Sequence, residues 1–481
     1  MIKSNKNADK TTIAAIATPR GTGGIAVIRI SGTSAFEVSE KIFAHKNKKY
    51  KSFNDIPSNT AVFGDILSND GETIDEGLAV KFKSPYSYTG EDTVEISCHG
   101  GIYMANAVLT SAINAGARLA EPGEFTKTAY LNGKISLTGA EAVGRLICAV
   151  NETGAKVASA QSKGGLSRKI GEISDKIKEI ISEVYVFIDY PGEDLTDMSP
   201  EIMLEKLILV KKELENLKST YNIGRIISDG INCAIIGKPN AGKSTLLNML
   251  SKDDVAIVHD TPGTTRDVVY SRINTGKFVL NLYDTAGIRT SPGEIESIGI
   301  EKALSKISEC ELVIGVFDIS KNFGEDDRNI LEILNREKEN GKKTIIVFNK
   351  CDAVGEAAAI GFIGDDKEKA EPLIISAKNN IVLNSDISAF DAFASHLENI
   401  YQFGGYDLDS GEILTEERQH FEICSACDNL DSAINALENN FTQDMAGLDL
   451  ELAVKNLDRC DSKSVSEDIV NKIFKNFCIG K

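Results

Sequence analysis

The chain has 481 residues, a formal charge of −18, 42% hydrophobic and 26% charged residues. At about 150 residues per domain this length implies about three domains, and the composition excludes a wholly disordered, collagen-like or disulfide-scaffold chain. No apolar run reaches about 18 residues and the first ten residues lack the apolar core of an export signal, so membrane spanning and secretion are disfavoured and a cytoplasmic location is expected.

The acidic balance repels phosphate backbones at long range, so any RNA contact needs a local basic patch or a partner's help. Nine scattered cysteines in such a chain read as reduced thiols. Cys424 and Cys427 form a C-x-x-C, yet with Phe421, Leu430, Ile434 and Leu437 they make one stripe at helical spacing. That stripe reads as core rather than zinc or redox chemistry, because no second Cys/His pair accompanies it.

In chain order, residues 12–120 read as a mixed α/β module, with strand-like runs at 25–30 and 77–82 and a helix-like stretch at 104–115. The texture then turns helical. Leu166, Ile170, Ile173, Ile177, Ile181, Val184 and Ile188 recur every three or four residues, and Leu204, Leu207, Val210, Leu214 and Leu217 do the same after a Pro/Gly break. From Ile231 short β-branched runs (231–236, 278–283, 312–317, 344–348, 373–375) alternate with helix-length segments, the pattern of a mostly parallel sheet covered on both faces. Helical texture returns after about 386, through 421–437, 448–457 and 469–477. The expected fold class is multidomain α/β plus all-α: an N-terminal α/β domain (1–124), a helical domain built from two chain segments (125–226 and 387–481), and an inserted α/β domain (227–386).

Gly237-Lys238-Pro239-Asn240-Ala241-Gly242-Lys243-Ser244 fits G-x-x-x-x-G-K-[ST] between an apolar strand and a helix-like 243–250. Backbone N–H groups of such a loop turn inward around phosphate, with Thr245 next on the same helical turn. Lys243 supplies a point charge at the β/γ-phosphates, and the Ser244 hydroxyl suits Mg²⁺. Asp284-Thr285-Ala286-Gly287 after a strand places a carboxylate near the metal and a glycine near the γ-phosphate. Asn349-Lys350-Cys351-Asp352 follows another strand, and the Asp352 carboxylate accepts from guanine's N1–H and amine, a donor pair that adenine lacks. Ser376-Ala377-Lys378 would close over the base. The ordered set specifies a Ras-like P-loop domain that binds GTP.

Its hydrolytic chemistry departs from the Ras pattern, because Ile288 occupies the position of the water-orienting glutamine and can neither donate nor accept. Water positioning and charge compensation must come from elsewhere. Asn240 and the segment His259-Asp260-Thr261-Pro262-Gly263-Thr264-Thr265-Arg266-Asp267 are the nearest candidates. There carbonyl oxygens can surround a second cation while Thr265 completes the Mg²⁺ shell, although the same segment also reads as an ordinary switch loop.

Over essentially its whole length the sequence resembles the MnmE (TrmE) family of tRNA modification GTPases. The likeness is carried by Thr12-Ile13-Ala14-Ala15-Ile16-Ala17-Thr18-Pro19, Val27-Ile28-Arg29-Ile30-Ser31-Gly32, Tyr88-Thr89-Gly90-Glu91-Asp92 and His99-Gly100-Gly101. It continues in Pro122-Gly123-Glu124-Phe125-Thr126, Leu131-Asn132-Gly133-Lys134 and the terminal Cys478-Ile479-Gly480-Lys481. The resemblance implies that residues 1–124 form a folate-binding and dimerisation domain, with Arg29, Glu95, Lys134 and Lys481 on a 5,10-methylene- or 5-formyl-tetrahydrofolate. It implies K⁺ held by Asn240, His259, Thr261 and Thr264 where an arginine finger would stand, and a water-orienting Glu296 acting with Lys243 and Thr265. It also implies a homodimer that joins the FAD-carrying flavoprotein MnmG (GidA) in a heterotetramer, to place an aminomethyl or carboxymethylaminomethyl group on the tRNA wobble uridine. A ribosome-assembly switch that leaves the folate residues idle, and a stand-alone folate-dependent methyltransferase, are the competing readings.

Overall fold

The computed structural model describes residues 11–189, 200–251, 269–283, 307–354, 372–401, 405–439, 443–461, 467–475 and 477–480. The chain divides into two compact units, one of residues 1–144, 161–210 and 425–481, the other of residues 145–160 and 211–424.

The first unit contains a seven-stranded sheet: β1 (Ile13–Ile16), β2 (Ile25–Ser31), β3 (Phe43–His45), β4 (Ala61–Leu67), β5 (Thr73–Phe82), β6 (Thr93–His99) and β7 (Arg118–Leu119), in the order β3-β4-β5-β6-β2-β1-β7. Its pairs are antiparallel except β1 with β7. Alternation decides which face is buried. In β2, Ala26, Ile28 and Ile30 enter a core with Val94, Ile96 and Cys98 of β6 and with Ala105, Val108 and Ala112 of the helix Ile102–Asn114. Arg29 and Glu95, directly paired across β2 and β6, take the opposite face.

Both ends of the chain contribute helices to this unit. In Gly165–Asp189 the buried stripe is Leu166, Ile170, Ile173, Ile177, Ile180 and Val184. It packs antiparallel on Gln443–Asp461, where Ala446, Leu450, Ala453, Leu457 and Cys460 repeat the same alternating spacing. Two expected positions shift by one residue: Ile180, not Ile181, is fully buried, and Met203, not Leu204, opens the stripe of Pro200–Ser219. Each pair is apolar at both positions, and the strict heptad spacing selects the member that faces the core. The helix Glu467–Lys475 places Val470 and Phe474 against Leu137, Ala140 and Tyr130. Phe474 O and the Phe477 side chain crowd Gly123, whose φ of 68° and lack of a Cβ permit the approach.

The second unit holds an eight-stranded sheet: β8 (Ile231–Ile236), β9 (Val269–Asn274), β10 (Val279–Tyr283), β11 (Leu312–Asp318), β12 (Lys343–Asn349), β13 (Leu373–Ser376), β14 (Ile381–Val382) and β15 (Ser385–Ser388). Their order is β15-β14-β13-β12-β11-β8-β10-β9. Strands β13, β12, β11, β8 and β10 are parallel, and β9, β14 and β15 extend the sheet antiparallel. Every residue of β11 is buried, as a strand covered on both faces requires.

The expected domain end at 386 falls inside β15. The next helix, Ala389–Tyr401, sends Ala389, Phe393 and Leu397 into the core formed by β8, β11 and β12, so the α/β body continues past that boundary. The helix Glu417–Glu438 begins with Phe421 65% exposed, outside the expected core stripe, whereas Cys427, Leu430, Ile434 and Leu437 are buried. All nine cysteines are free thiols. Among the described residues no helix is long and apolar enough to cross a membrane.

Candidate nucleotide site and folate site

In the second unit the chain leaves β8 for β10 on one side and reaches β11 on the other, so the loop after β8 opens at a topological switch point, where open α/β sheets bind ligands. Gly237 fits there because a Cβ would stand 2.5 Å from Val316 O of β11. Asn240 (φ 63°) and Gly242 (φ 100°) are left-handed, which curls the loop and presents the N-terminus of the helix Lys243–Leu250.

Lys243 folds back over this loop, its Nζ donating to Gly237 O at 2.6 Å and Lys238 O at 2.8 Å. Burial lowers its pKa below the ordinary lysine value. An arriving phosphate works in the opposite direction, favouring the ammonium. Ser244 is exposed on the first helical turn, its hydroxyl a suitable hard ligand for Mg²⁺. The backbone carbonyl of Asn240 accepts from Lys350 Nζ at 2.8 Å, and the Asn240 side chain is exposed.

The N-K-x-D tetrad divides its labour. Asn349, 3% exposed, donates from Nδ2 to Ala241 O at 3.0 Å and accepts the Ala377 N–H on Oδ1 at 3.0 Å, so one side chain joins the phosphate loop to the S-A-K loop. Lys350 bonds Asp318 Oδ2 at 2.6 Å besides the Asn240 carbonyl. Asp352 lies exposed in the short turn Cys351–Ala353, clear of this bracing and able to read a base edge. Ser376 is fully buried, and Lys378 is exposed beyond the buried Ala377.

Two contributors were not singled out in the sequence. Burial tends to raise the Asp318 carboxyl, but hydrogen bonds from Lys350 and Ser320 outweigh it and hold the pKa below the usual carboxylate value. Its signal was an acid ending an otherwise apolar strand. Asp327, almost wholly buried, pairs with Lys238 and accepts the Gly324 N–H at 2.9 Å, fixing the second loop residue to the start of the helix Glu325–Glu339. Thr245 is half-buried beside Ser244. His259, Asp260, Thr261, Pro262, Gly263, Thr264, Thr265, Asp284, Thr285, Ala286, Gly287 and Glu296 lie outside the described residues, as does Lys481.

In the first unit Arg29 Nε donates to Glu95 Oε1 at 2.8 Å. The guanidinium lies 5.6 Å from the Tyr88 ring centre and 5.5 Å from that of Phe125, and its NH1 reaches Gly480 O at 3.4 Å. Gly480 has φ 100°, and a Cβ there would meet Ile16 O at 2.2 Å, so only glycine lets the tail lie this close to β1. Lys134 Nζ donates to Pro85 O at 3.0 Å, and Asn132 Nδ2 to Thr89 O at 2.8 Å. Both anchor the segment that carries Tyr88 under Arg29. The structure thus brings Arg29, Glu95 and the C-terminal tail together, and ties Lys134 to them through the 85–89 segment rather than by contact.

A glycine-rich loop at the switch point, braced by N-K-x-D and S-A-K loops, defines a P-loop guanine-nucleotide-binding protein. The family model described as "GTP-binding protein TrmE N-terminus" matches residues 12–134, and that of the "MnmE helical domain" matches residues 137–478. The tRNA modification GTPase MnmE of Acetivibrio thermocellus is 38% identical over 98% of this chain and 99% of its own length. That of Clostridioides difficile is 38% identical over the same shares. Among solved structures, Era in complex with MgGDPNP and nucleotides 1506-1542 of 16S ribosomal RNA is 27% identical, covers 35% of this chain and 56% of its own, and has a TM-score of 0.27. The chain belongs to the MnmE family of tRNA modification GTPases.

Proposed function

We propose that the protein is a K⁺-dependent, Mg²⁺-requiring GTPase that acts with the flavoprotein MnmG, in a heterotetramer built on its own homodimer, to place an aminomethyl or carboxymethylaminomethyl group at C5 of the tRNA wobble uridine. A tetrahydrofolate bound to the N-terminal domain supplies the one-carbon unit, and FAD resides on the partner. The observation that carries this reading is the Arg29–Glu95 pair between the Tyr88 and Phe125 rings, with the Gly480 carbonyl beside it. Only Oε1 of Glu95 is engaged, so Oε2 remains to accept from the adjacent N–H donors of a pterin, and the guanidinium suits a carboxylate of the glutamate tail. A GTPase that worked purely as a switch would have no use for this arrangement.

Arg29→Ala is expected to weaken 5-formyl-tetrahydrofolate binding about ten- to a hundredfold, the loss of one charge-assisted hydrogen bond of about 1.5–3 kcal/mol. Isothermal titration of wild type and variant measures it, with GTP turnover unaltered; equal folate affinities refute the assignment.

Within the nucleotide site, Ser244 and Thr265 would hold Mg²⁺, and Asn240 with His259, Thr261 and Thr264 would hold K⁺. Ile288 leaves no polar side chain at the glutamine position, so the negative charge that develops on the departing phosphoryl group calls for a cation, with Glu296 orienting the water. GTP turnover in potassium buffer is expected to exceed that in sodium buffer by about tenfold or more, within the range over which single electrostatic stabilisers act. Equal steady-state rates in the two salts would remove K⁺ from the reading.

A further inference from the structure

Between Glu40 and Asp55 the chain carries five lysines, one histidine and no acid, in a protein of formal charge −18. This run forms the end of the helix Ala35–Ile42, the edge strand β3 and the loop that follows it. The loop is held in place. Lys46 N–H donates to Phe63 O at 2.9 Å, Lys49 N–H to Asn47 Oδ1 at 3.0 Å, and the N–H groups of Lys51 and Ser52 to Asp55 Oδ2 at 3.2 and 3.0 Å. Beneath it, Phe43 and Phe53 meet edge to face at 6.1 Å, and the buried Lys81 donates to Asn54 O at 2.7 Å.

The five lysines are not equivalent. Lys41 is bonded to Ala115 O, and Lys46 is neutralised by Asp65 and Glu76. Lys48, Lys49 and Lys51 are exposed and have no acid partner among the described residues; Lys49 Nζ lies 5.7 Å from the Tyr50 ring centre. Of the surrounding acids, Asp65 and Glu76 are paired with Lys46, whereas Glu40 and Asp55 accept from the Asn54 amide and from two backbone N–H groups and keep their charge, which acts on the buried Lys81. A pre-ordered turn therefore offers three exposed ammonium groups without an ion-pair partner, beside an aromatic ring. Point charges of this kind suit phosphate oxygens along a nucleic-acid strand, contacts that position the polymer without reading its sequence.

We propose that Lys48, Lys49 and Lys51 hold the phosphodiester backbone of the tRNA substrate, which makes this loop the local basic patch that an acidic protein needs for RNA. The proposal rests on the tRNA-modification reading. Its test measures binding of a fluorescent tRNA transcript with a wobble uridine to the full-length protein across a series of salt concentrations. Wild type is compared with the triple variants Lys48→Ala/Lys49→Ala/Lys51→Ala and Lys48→Arg/Lys49→Arg/Lys51→Arg. The alanine variant is expected to bind about tenfold or more weakly at low salt and to lose about two to three units of the slope of log affinity against log salt; the arginine variant keeps both, and tRNA-free GTP turnover is the same in all three. An alanine variant with the wild-type slope overturns the loop assignment and leaves tRNA as substrate untouched. Wild type that fails to bind tRNA at the lowest salt overturns both. Unchanged tRNA binding with weakened binding of the flavoprotein partner would make the loop a protein interface and likewise overturn the proposal.

Discussion

Lys243→Ala is expected to lower GTP turnover at saturating Mg²⁺ by about a hundredfold or more, the usual loss when one preorganised electrostatic stabiliser is removed from a reacting phosphoryl or acyl group. The geometry makes the effect local. The ammonium is suspended over the loop by the Gly237 and Lys238 carbonyls, so its position is fixed before nucleotide arrives. Those carbonyls belong to the loop itself, and Lys238 O keeps the Ala241 N–H at 3.2 Å when the side chain is cut back, so the fold is expected to survive the change. Single-turnover hydrolysis measured beside GDP affinity separates chemistry from binding: the rate falls while GDP, which lacks the γ-phosphate, is lost to a smaller extent. A variant that turns over within threefold of wild type would show that another cation supplies the charge.

Asn349→Ala is expected to act differently, on binding and on stability together. The side chain is the only link described between Ala241 O and the Ala377 N–H, and truncation leaves both polar groups buried without it. An unsatisfied buried donor or acceptor costs about 1–3 kcal/mol, so affinities for GTP and GDP should fall together by about ten- to a hundredfold, with a lowered melting temperature. Asn349→Asp keeps the acceptor for Ala377 but turns an oxygen toward the Ala241 carbonyl, and should be at least as damaging. Fluorescent-nucleotide titration and thermal unfolding measure both variants. Affinity unchanged within twofold would mean that the two loops are held by the sheet alone.

The parallel sheet was legible because its central strands are apolar throughout: 231–236 and 312–317 were read as strands from composition and recur in β8 and β11. The phosphate loop was legible because its glycines serve backbone conformations that few other residues adopt. The short strands β3, β7, β14 and β15, at or next to the sheet edges, were not, since a pair or a few residues carries no periodicity and is specified by its neighbour. Stripe membership failed where two adjacent residues were equally apolar, as at Ile180/Ile181 and Met203/Leu204. The bracing roles of Asp318 and Asp327 were equally hidden: each partners a lysine far away in sequence, and an isolated acid gives no hint of such a pairing. In the N-terminal domain only likeness to relatives marked Arg29 and Glu95, although strand alternation would have put both on the face opposite the core.

One contact has a bearing on how the protein is made. Arg29 reaches Gly480, 451 residues later, and the final helix packs under Gly123 on the way. At about 5–20 residues per second, a ribosome that has just completed β2 needs tens of seconds more before the tail exists to meet it. Strands and helices near the start can form early, yet Arg29 lacks the Gly480 carbonyl until residue 480 has been made. A nascent chain therefore carries an unfinished site, which closes only when the last segment threads past β1.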